Sequence, residues 1–384
     1  MIRKIAVVVT ARPSYGRFRS CLLRLAGRTD VQTQLVLAGS SLLDRYGNIE
    51  PIVAADGLKV DARVHMLVEG ENLITSAKTT GLGIIELSSV FSALKPDLVV
   101  TIADRYETLA TSIAASYMNI PLAHIQGGEV TGNIDEKVRH ANTKLADLHL
   151  VSSEHARERV IRMGEDPKSV FVTGCPSIDI AADVLANPGL KGDLFKLYGG
   201  VGPEFSLDAP FLVILQHPVT TEFGQAKLQI QKTLEAVDAI GLPALWFWPN
   251  VDAGSDETSK GLRQFREQGR ASRIHFFKNM PPDDFLRICM KSACVVGNSS
   301  VAIRECSFLG VPAVNIGSRQ DGRDRGKNVI DVGYDADAIR TAIQKHVSNG
   351  KSPRDELYGR GDAGERIADV LITAPLRIAK RLQY

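Results

Sequence analysis

The chain has 384 residues, more than one ordinary hydrophobic core serves, so two domains are expected. Its 46 Lys and Arg against 44 Asp and Glu leave a net charge of +2 with the signs interspersed, which gives no support to a nucleic-acid or membrane partner. Five cysteines, Cys21, Cys175, Cys289, Cys294 and Cys306, lack CxxC spacing and read as free thiols of a cytoplasmic protein, with no metal site.

The opening stretch Met1 to Thr10 has too short an apolar run for a signal peptide and reads as a first strand. After it, Ala11-Arg12-Pro13-Ser14-Tyr15-Gly16-Arg17 lacks the Gly-x-Gly-x-x-Gly spacing of a dinucleotide site, which argues against a tightly held NAD; no cofactor is expected. Arg12, Ser14 and Arg17 at a strand-to-helix turn offer charge-assisted bonds to an anion, the alternative being ordinary surface arginines. Gln32 to Ala38 reads as a strand, Ser40 to Tyr46 lies near a helix, and Thr75 to Leu94 reads as a long amphipathic helix, the alternation of a doubly wound α/β domain.

Leu98 to Ile102 is a short β-branched run typical of a buried parallel strand, so Asp104 falls at a carboxyl-terminal strand end. Thr108 to Tyr117 suits a helix packed on a sheet, closed by Asn119 and Pro121. The strand Pro121 to Gln126 then empties into Gly127-Gly128, a sharp turn, and Glu129. Asp135-Glu136 open a helix that carries Arg139, His140 and Lys144, acidic residues being suited to a helix start. Ligands of open parallel sheets lie beyond the carboxyl ends of the strands, so Asp104, Gln126, Glu129, Asp135 and His140 are expected on one crevice.

Leu148 to Val151 and Val170 to Thr173 extend the sheet, and Gly174 to Asp179 turns into a helix. Gly189 to Pro210, rich in Gly, Pro and Asp, reads as the linker. A second strand-helix series starts with Phe211 to Leu215 and places His217 at a strand end, as a ligand contact or a satisfied core histidine. Ala244 to Trp248, with both tryptophans expected in the core, runs into the polar turn Pro249 to Gly254. Ile274 to Phe277 leads to Lys278-Asn279-Met280-Pro281-Pro282, a lip for a planar base. Ala293 to Gly297 precedes Asn298-Ser299-Ser300 and Arg304-Glu305, a helix start that binds phosphate through its N–H groups and dipole, or one where Ser299 is only a cap. The strand Ala313 to Ile316 puts Arg319 beside that turn, with Arg323 and Arg325 behind it, and a diphosphate pocket results. Ala363 to Tyr384 is helical in pattern and is expected to cross back. The division is therefore 1–188 with 363–384, and 205–362, as two Rossmann-like domains.

Asp104-Arg105, His124-Ile125-x-Gly127-Gly128-Glu129, Gly132-x-Ile134-Asp135, Arg139-His140-x-x-x-Lys144-Leu145, Gln216-His217-Pro218, Pro249-Asn250-x-Asp252-Ala253-Gly254, Gly297-Asn298-Ser299-Ser300 and Gly317-x-Arg319-Gln320 together carry a resemblance over nearly the whole chain. The chain resembles the hydrolysing UDP-N-acetylglucosamine 2-epimerases of the sialic and legionaminic acid pathways. The resemblance implies a glycosyltransferase-B architecture, two α/β domains facing a central cleft, in a homodimer or dimer of dimers. It implies elimination of UDP from a UDP-activated 2-acetamido sugar, above all UDP-N-acetylglucosamine, and hydration of the glucal to a free 2-epimer of N-acetylmannosamine type.

By the same resemblance Asp104 and Asp135 fall on catalytic carboxylate positions, His217 and Arg319 on the diphosphate side, Ser299 and Ser300 on phosphate contacts, and Glu305 on a ribose contact. Arg12, Arg105 and Asn250 are expected on the nucleotide side. One position departs: Gln126 stands where the sialic acid enzymes place a catalytic glutamate, and an amide cannot exchange a proton as a carboxylate does. The expectation is that Gln126 orients the sugar while Glu129 or His140 supplies the missing proton transfer. A 2,4-diacetamido-trideoxy or GDP-linked substrate, a non-hydrolysing epimerase, a glycosyltransferase of the same architecture and a catalytically silent sugar-nucleotide binder are the other readings.

Overall fold

The computed structural model describes residues 2–383 except 70–72, 132–133, 223, 249–254 and 279, and the backbone alone at 45, 73, 134, 220, 255 and 256. The chain gathers into two units, the first of Met1–Val130, Ile134–Asp179 and Gly359–Tyr384 and the second chiefly of Ile180–Tyr358.

In the first unit the strands are β1 (Arg3–Val9), β2 (Val31–Ala38), β3 (Val60–Val64), β4 (Leu98–Ile102), β5 (Leu122–Ile125), β6 (Leu148–Val151) and β7 (Val170–Val172). They form one parallel sheet in the order β3-β2-β1-β4-β5-β6-β7. Its helices are α1 (Arg12–Ala26), α2 (Glu50–Ala55), α3 (Leu73–Leu94), α4 (Thr108–Tyr117), α5 (Ile134–Leu145), α6 (Glu154–Arg162) and the start of α7 (Pro176–Ala186). Alternation along β1 sorts the core by face. Ile5, Val7 and Val9 pack with Phe18 and Leu22 of α1, whereas Ala6 and Val8 pack with Leu87 and Phe91 of α3 and Ala110 and Ala114 of α4.

In the second unit α8 (Leu194–Tyr198), β8 (Leu212–Leu215), α9 (Ala226–Ile240), β9 (Ala244–Phe247), α10 (Ser255–Glu267) and β10 (Ile274–Phe277) come first. There follow α11 (Pro282–Lys291), β11 (Cys294–Gly297), α12 (Glu305–Leu309), β12 (Ala313–Ile316), β13 (Val329–Val332) and α13 (Ala336–Asn349). The sheet is again all parallel, in the order β10-β9-β8-β11-β12-β13. Trp246 is fully buried there, packed with Phe276.

Three expectations change. The stretch 189–210 is structured: Asp193 caps α8 by accepting from Phe195 N at 3.1 Å, and Val201 bridges Phe276 of β10. The last helix, α14 (Ala363–Thr373), stops eleven residues before the expected Tyr384, because Pro375 forces Ala374 into extended backbone (φ −61°, ψ 139°). Helix α3 is mixed rather than purely polar on its outer face, where Ile74 and Ile85 are 68% and 65% exposed beside the exposed Lys78, Glu86, Ser89 and Ser92.

α14 packs in the first unit beside α1, its N-terminus capped by Asp179, which accepts from Ala363 N at 2.9 Å and Gly364 N at 2.7 Å. In each sheet the strand order reverses once, between β1 and β4 and between β8 and β11. Such switch points open a crevice beyond the strand ends, and the chain beyond β4, β8 and β11 carries the polar residues singled out above.

Candidate active site

β4 and β5 leave the first sheet through Ala103 and Gln126, both at φ 64°, a left-handed conformation unusual for residues with a Cβ. Each still donates to the neighbouring strand, Ala103 N to Ile125 O and Gln126 N to Leu150 O at 2.9 Å. Ladder bonds at the last residue followed by a left-handed turn bend the chain abruptly off the sheet. The turn delivers Asp104 and the Gly127-Gly128 pair to the same edge.

Helix α5 supplies the side chains that hold this edge. Arg139, Asn142 and Thr143 recur at helical spacing on one face. Arg139, 1% exposed, binds the Asp104 carboxylate through Nη2 and donates from Nη1 to Glu129 O at 2.8 Å. Asn142 donates to Thr108 Oγ1 at 2.8 Å and accepts from Ser112 Oγ at 2.8 Å. Thr143 Oγ1 lies 3.1 Å from His124 Nδ1, and His124 Nε2 lies 2.8 Å from Ala103 O. A carbonyl only accepts, so Nε2 carries the proton, and the single Thr143 hydroxyl hydrogen is shared between Nδ1 and Arg139 O, 3.0 Å away. Burial pushes His124 down to about 4, which keeps the ring neutral.

Gln126, 2% exposed, is held at both ends: Oε1 accepts from Arg17 Nη1 at 3.2 Å and Nε2 donates to Cys175 Sγ at 2.9 Å. Arg17 can only donate, which fixes the amide's orientation. The Cys175 sulfur lies 3.0 Å from Ser177 Oγ. Glu129 is 4% exposed and accepts from Ser152 Oγ at 3.0 Å. His140 has its Nε2 3.2 Å from Glu136 Oε1 and keeps 35% of its side chain exposed, and Asp135 is half-buried in the first turn of α5. Arg105 pairs with the fully buried Glu107 at 3.1 Å, and Arg12 is the half-buried first residue of α1. Arg139 thus ties Asp104 to the Glu129 segment, Gln126 is tied to α1 and to Cys175 just ahead of α7, and His140 to its own helix. Asn142, Thr143 and the Gln126 contacts escape sequence reasoning. The spacing of Asn142 and Thr143 from Arg139 is the one signal that could have found them.

In the second unit Asn298 is the hub. Fully buried at the end of β11, it accepts from His217 N at 2.7 Å and donates to His217 O at 2.8 Å. Its own carbonyl accepts from Arg319 Nη1 at 3.1 Å and Gln320 Nε2 at 2.9 Å. One residue therefore joins the ends of β8, β11 and β12. His217 is 5% exposed, and burial, followed by the Arg319 charge, pushes it down to about 3. It is a neutral ring, not the cation that a charge-stabilising role would use.

Ser299 caps a three-residue 3₁₀ turn (Ser300–Ala302), and α12, which follows, has five residues. The expected dipole of a full helix is therefore absent here, leaving the turn's own N–H groups and hydroxyls. Ser300 Oγ accepts from Arg304 Nη2 at 3.0 Å, and Glu305, 8% exposed, lies 4.0 Å from Arg304 Nε. Arg325 is engaged by Asp331 at 2.7 Å and by Gln320 O at 2.8 Å. Asn250, the rest of the Pro249 to Gly254 turn, Gly132 and Asn279 lie outside the described residues.

Among the described residues no cluster of three His, Cys, Asp or Glu side chains could hold a metal ion, and no helix is long and apolar enough to cross a membrane. A family model described as UDP-N-acetylglucosamine 2-epimerase matches residues 23–372. A Legionella pneumophila relative described as UDP-N,N'-diacetylbacillosamine 2-epimerase (hydrolyzing) is 32% identical over 376 residues, 98% of this chain and 97% of the relative. Polysialic acid biosynthesis protein P7 of Escherichia coli is 32% identical over 346 residues, 89% and 85% of the two chains. The solved structure of Neisseria meningitidis UDP-GlcNAc 2-epimerase bound to UDP-GlcNAc matches with a TM-score of 0.82 at 19% identity, covering 96% of this chain and 99% of that one.

Proposed function

The chain belongs to the UDP-N-acetylglucosamine 2-epimerase family, and from that premise we propose that it is a hydrolysing 2-epimerase of a UDP-activated 2-acetamido sugar. Its two parallel-sheet units are the α/β halves of a glycosyltransferase-B-like fold. The observation that carries the reading is the Asp104–Arg139 pair at the end of β4, a carboxylate kept beside a buried cation and aimed off a switch-point edge.

In the proposed reaction the C1–O bond to the diphosphate breaks with its electron pair while the C2 proton is removed, leaving a C1=C2 double bond. Water then adds at C1 and a proton returns to C2 from the opposite face, giving the free 2-epimer and UDP. The C2 hydrogen becomes acidic only as C1 gains oxocarbenium character, so departure and deprotonation must be coupled. Asp104 and Asp135 are the carboxylates proposed for the sugar, stabilising the cation and exchanging protons. Arg319, the neutral His217 as a hydrogen-bond donor and the Ser299-Ser300 turn are proposed for the leaving diphosphate, and Glu305 for the ribose.

Gln126, fixed between Arg17 and Cys175, has the character of an orienting group. Glu129 is buried against Ser152, whereas His140 keeps about a third of its surface, so His140 is assigned the second proton transfer. The 2,4-diacetamido counterpart of the substrate is the second reading, favoured by the description of the Legionella relative.

Incubation of the purified chain with UDP-N-acetylglucosamine and its 2,4-diacetamido-trideoxy analogue in deuterated water tests both. The expected products are UDP and a free sugar deuterated at C2. UDP-linked epimer as the product would make it non-hydrolysing, and no release without an acceptor would favour a transferase. His140→Gln should lower turnover about a hundredfold, the usual scale of a lost acid or base, and Glu129→Gln by far less.

A further inference from the structure

The active-site helix α5 is gripped at the end remote from the reaction. After α14 the non-helical tail runs back past the turn following α6, with Gln383 N donating to Gly164 O at 3.0 Å. On the way it inserts Lys380, whose side chain is 26% exposed, beneath the carboxyl end of α5. The ammonium shares its three N–H groups among Thr143 O at 3.2 Å, Lys144 O at 2.8 Å, Ala146 O at 2.6 Å and a carboxylate, Glu165. Thr143 O also takes a long bond from Ala146 N at 3.3 Å, whereas Lys144 O and Ala146 O have no further turn of helix to bond them, and a cation there also meets the negative end of the helix dipole.

The charge is neutralised by Glu165, 2% exposed, at 2.6 Å. Glu165 also accepts from Lys144 Nζ at 2.6 Å and His149 Nε2 at 3.0 Å. Burial raises the Glu165 carboxyl, but bonds from His149, Lys144 and Lys380 outweigh it and hold it at about 2, ionised throughout the working range. His149 is pushed down by its own burial, so it donates to Glu165 as a neutral ring and the two lysines supply the positive charge. Such a buried set of polar groups costs desolvation and gives little net stability over an apolar packing. What it provides is a fixed position for the helix end.

Thr143 joins the two sites: its carbonyl takes the Lys380 bond and its hydroxyl meets His124, one turn beyond the Arg139 that holds Asp104. We propose that Lys380 is a positioning residue, a strap from the carboxyl-terminal tail that sets the register of α5 and so places Asp135, Arg139 and His140. Lys380 touches none of the proposed reacting groups, and the inference rests on the epimerase reading for its effect on turnover.

The test uses the full chain carrying Lys380→Met or Lys380→Arg. With Lys380→Met, kcat for UDP release should fall about tenfold while KM stays within twofold and calorimetric UDP stoichiometry is unchanged. Amide hydrogen exchange should quicken in residues 139–146, and Lys380→Arg should restore most of kcat. A kcat within twofold of the unsubstituted chain overturns the proposal. So does a kcat that falls in step with UDP stoichiometry, which is loss of folded protein. If the unsubstituted chain releases UDP from no nucleotide sugar, the epimerase reading fails, and the exchange measurement alone decides the strap: faster exchange in α5 supports it and unchanged exchange overturns it.

Discussion

The Asn298 side chain closes a ring with the main chain of His217, accepting at 2.7 Å and donating at 2.8 Å, in a place no water reaches. Its own carbonyl is shared by Arg319 and Gln320. Removing the amide leaves a buried N–H and a buried C=O without partners, each costing about 1–3 kcal/mol. Asn298→Ala should therefore lower stability by about 2–6 kcal/mol in urea unfolding, summed over those two groups. Asn298→Asp keeps the acceptor for His217 N but sets a buried carboxylate against His217 O, so it should destabilise at least as much. Equal midpoints for all three proteins would show that Asn298 does not organise the strand ends. At the same residue scale Gln126 is an amide clamped by a guanidinium and a thiol, which can orient a neighbour and cannot titrate as a carboxylate does.

At the scale of elements, the Gly127-Gly128 turn shows why strand and helix meet as they do. Gly128 has φ 73°, and a Cβ there would come within 2.3 Å of Ala156 O in the backbone of α6. Neither the dihedral nor the helix can yield cheaply. Gly128→Ala should cost about 3 kcal/mol or more, the combined scale of left-handed strain and a backbone clash, read as a lowered thermal midpoint. An unchanged midpoint would mean that α6 moves freely away from the turn. Helix α5 likewise depends on more than its own propensity: Arg139, Asn142 and Thr143 fasten it to the strand ends, and Lys380 to the tail.

On the scale of the whole molecule, each unit buries a neutral histidine, His124 at about 4 and His217 at about 3 against an ordinary 6.5. The unfolded chain takes up a proton at each as the pH drops below 6.5, while the folded chain does not until about 4 or about 3. Stability from these groups is thus complete above 6.5 and declines through that window, by up to roughly 1.4 kcal/mol per pH unit for each histidine. Urea midpoints measured from pH 7.5 to 5 should fall, and His124→Gln should lessen the slope for the first unit, where the buried His149 still contributes. A wild-type midpoint level across that range would contradict the neutral, buried assignment.

Sequence alone determined the strand series and the positions at its ends, because buried parallel strands are short β-branched runs and a polar residue just past one has little choice but the sheet edge. Leu98 to Ile102 with Asp104, and Phe211 to Leu215 with His217, were legible on that ground. The edge strands β3 and β13 were not, since the half-buried Asp61 and the exposed Arg63 and Asp331 interrupt them and leave no apolar run. Tertiary structure decided the rest: that Pro375 ends α14 and frees a tail to reach α5, that Ser299 opens a 3₁₀ turn, and that Gln126 is held by Arg17 and Cys175. The proline and the cap act locally, but where the tail docks and what holds Gln126 depend on contacts between residues far apart in the chain, and local patterns of polarity carry no record of which distant partner a side chain will meet.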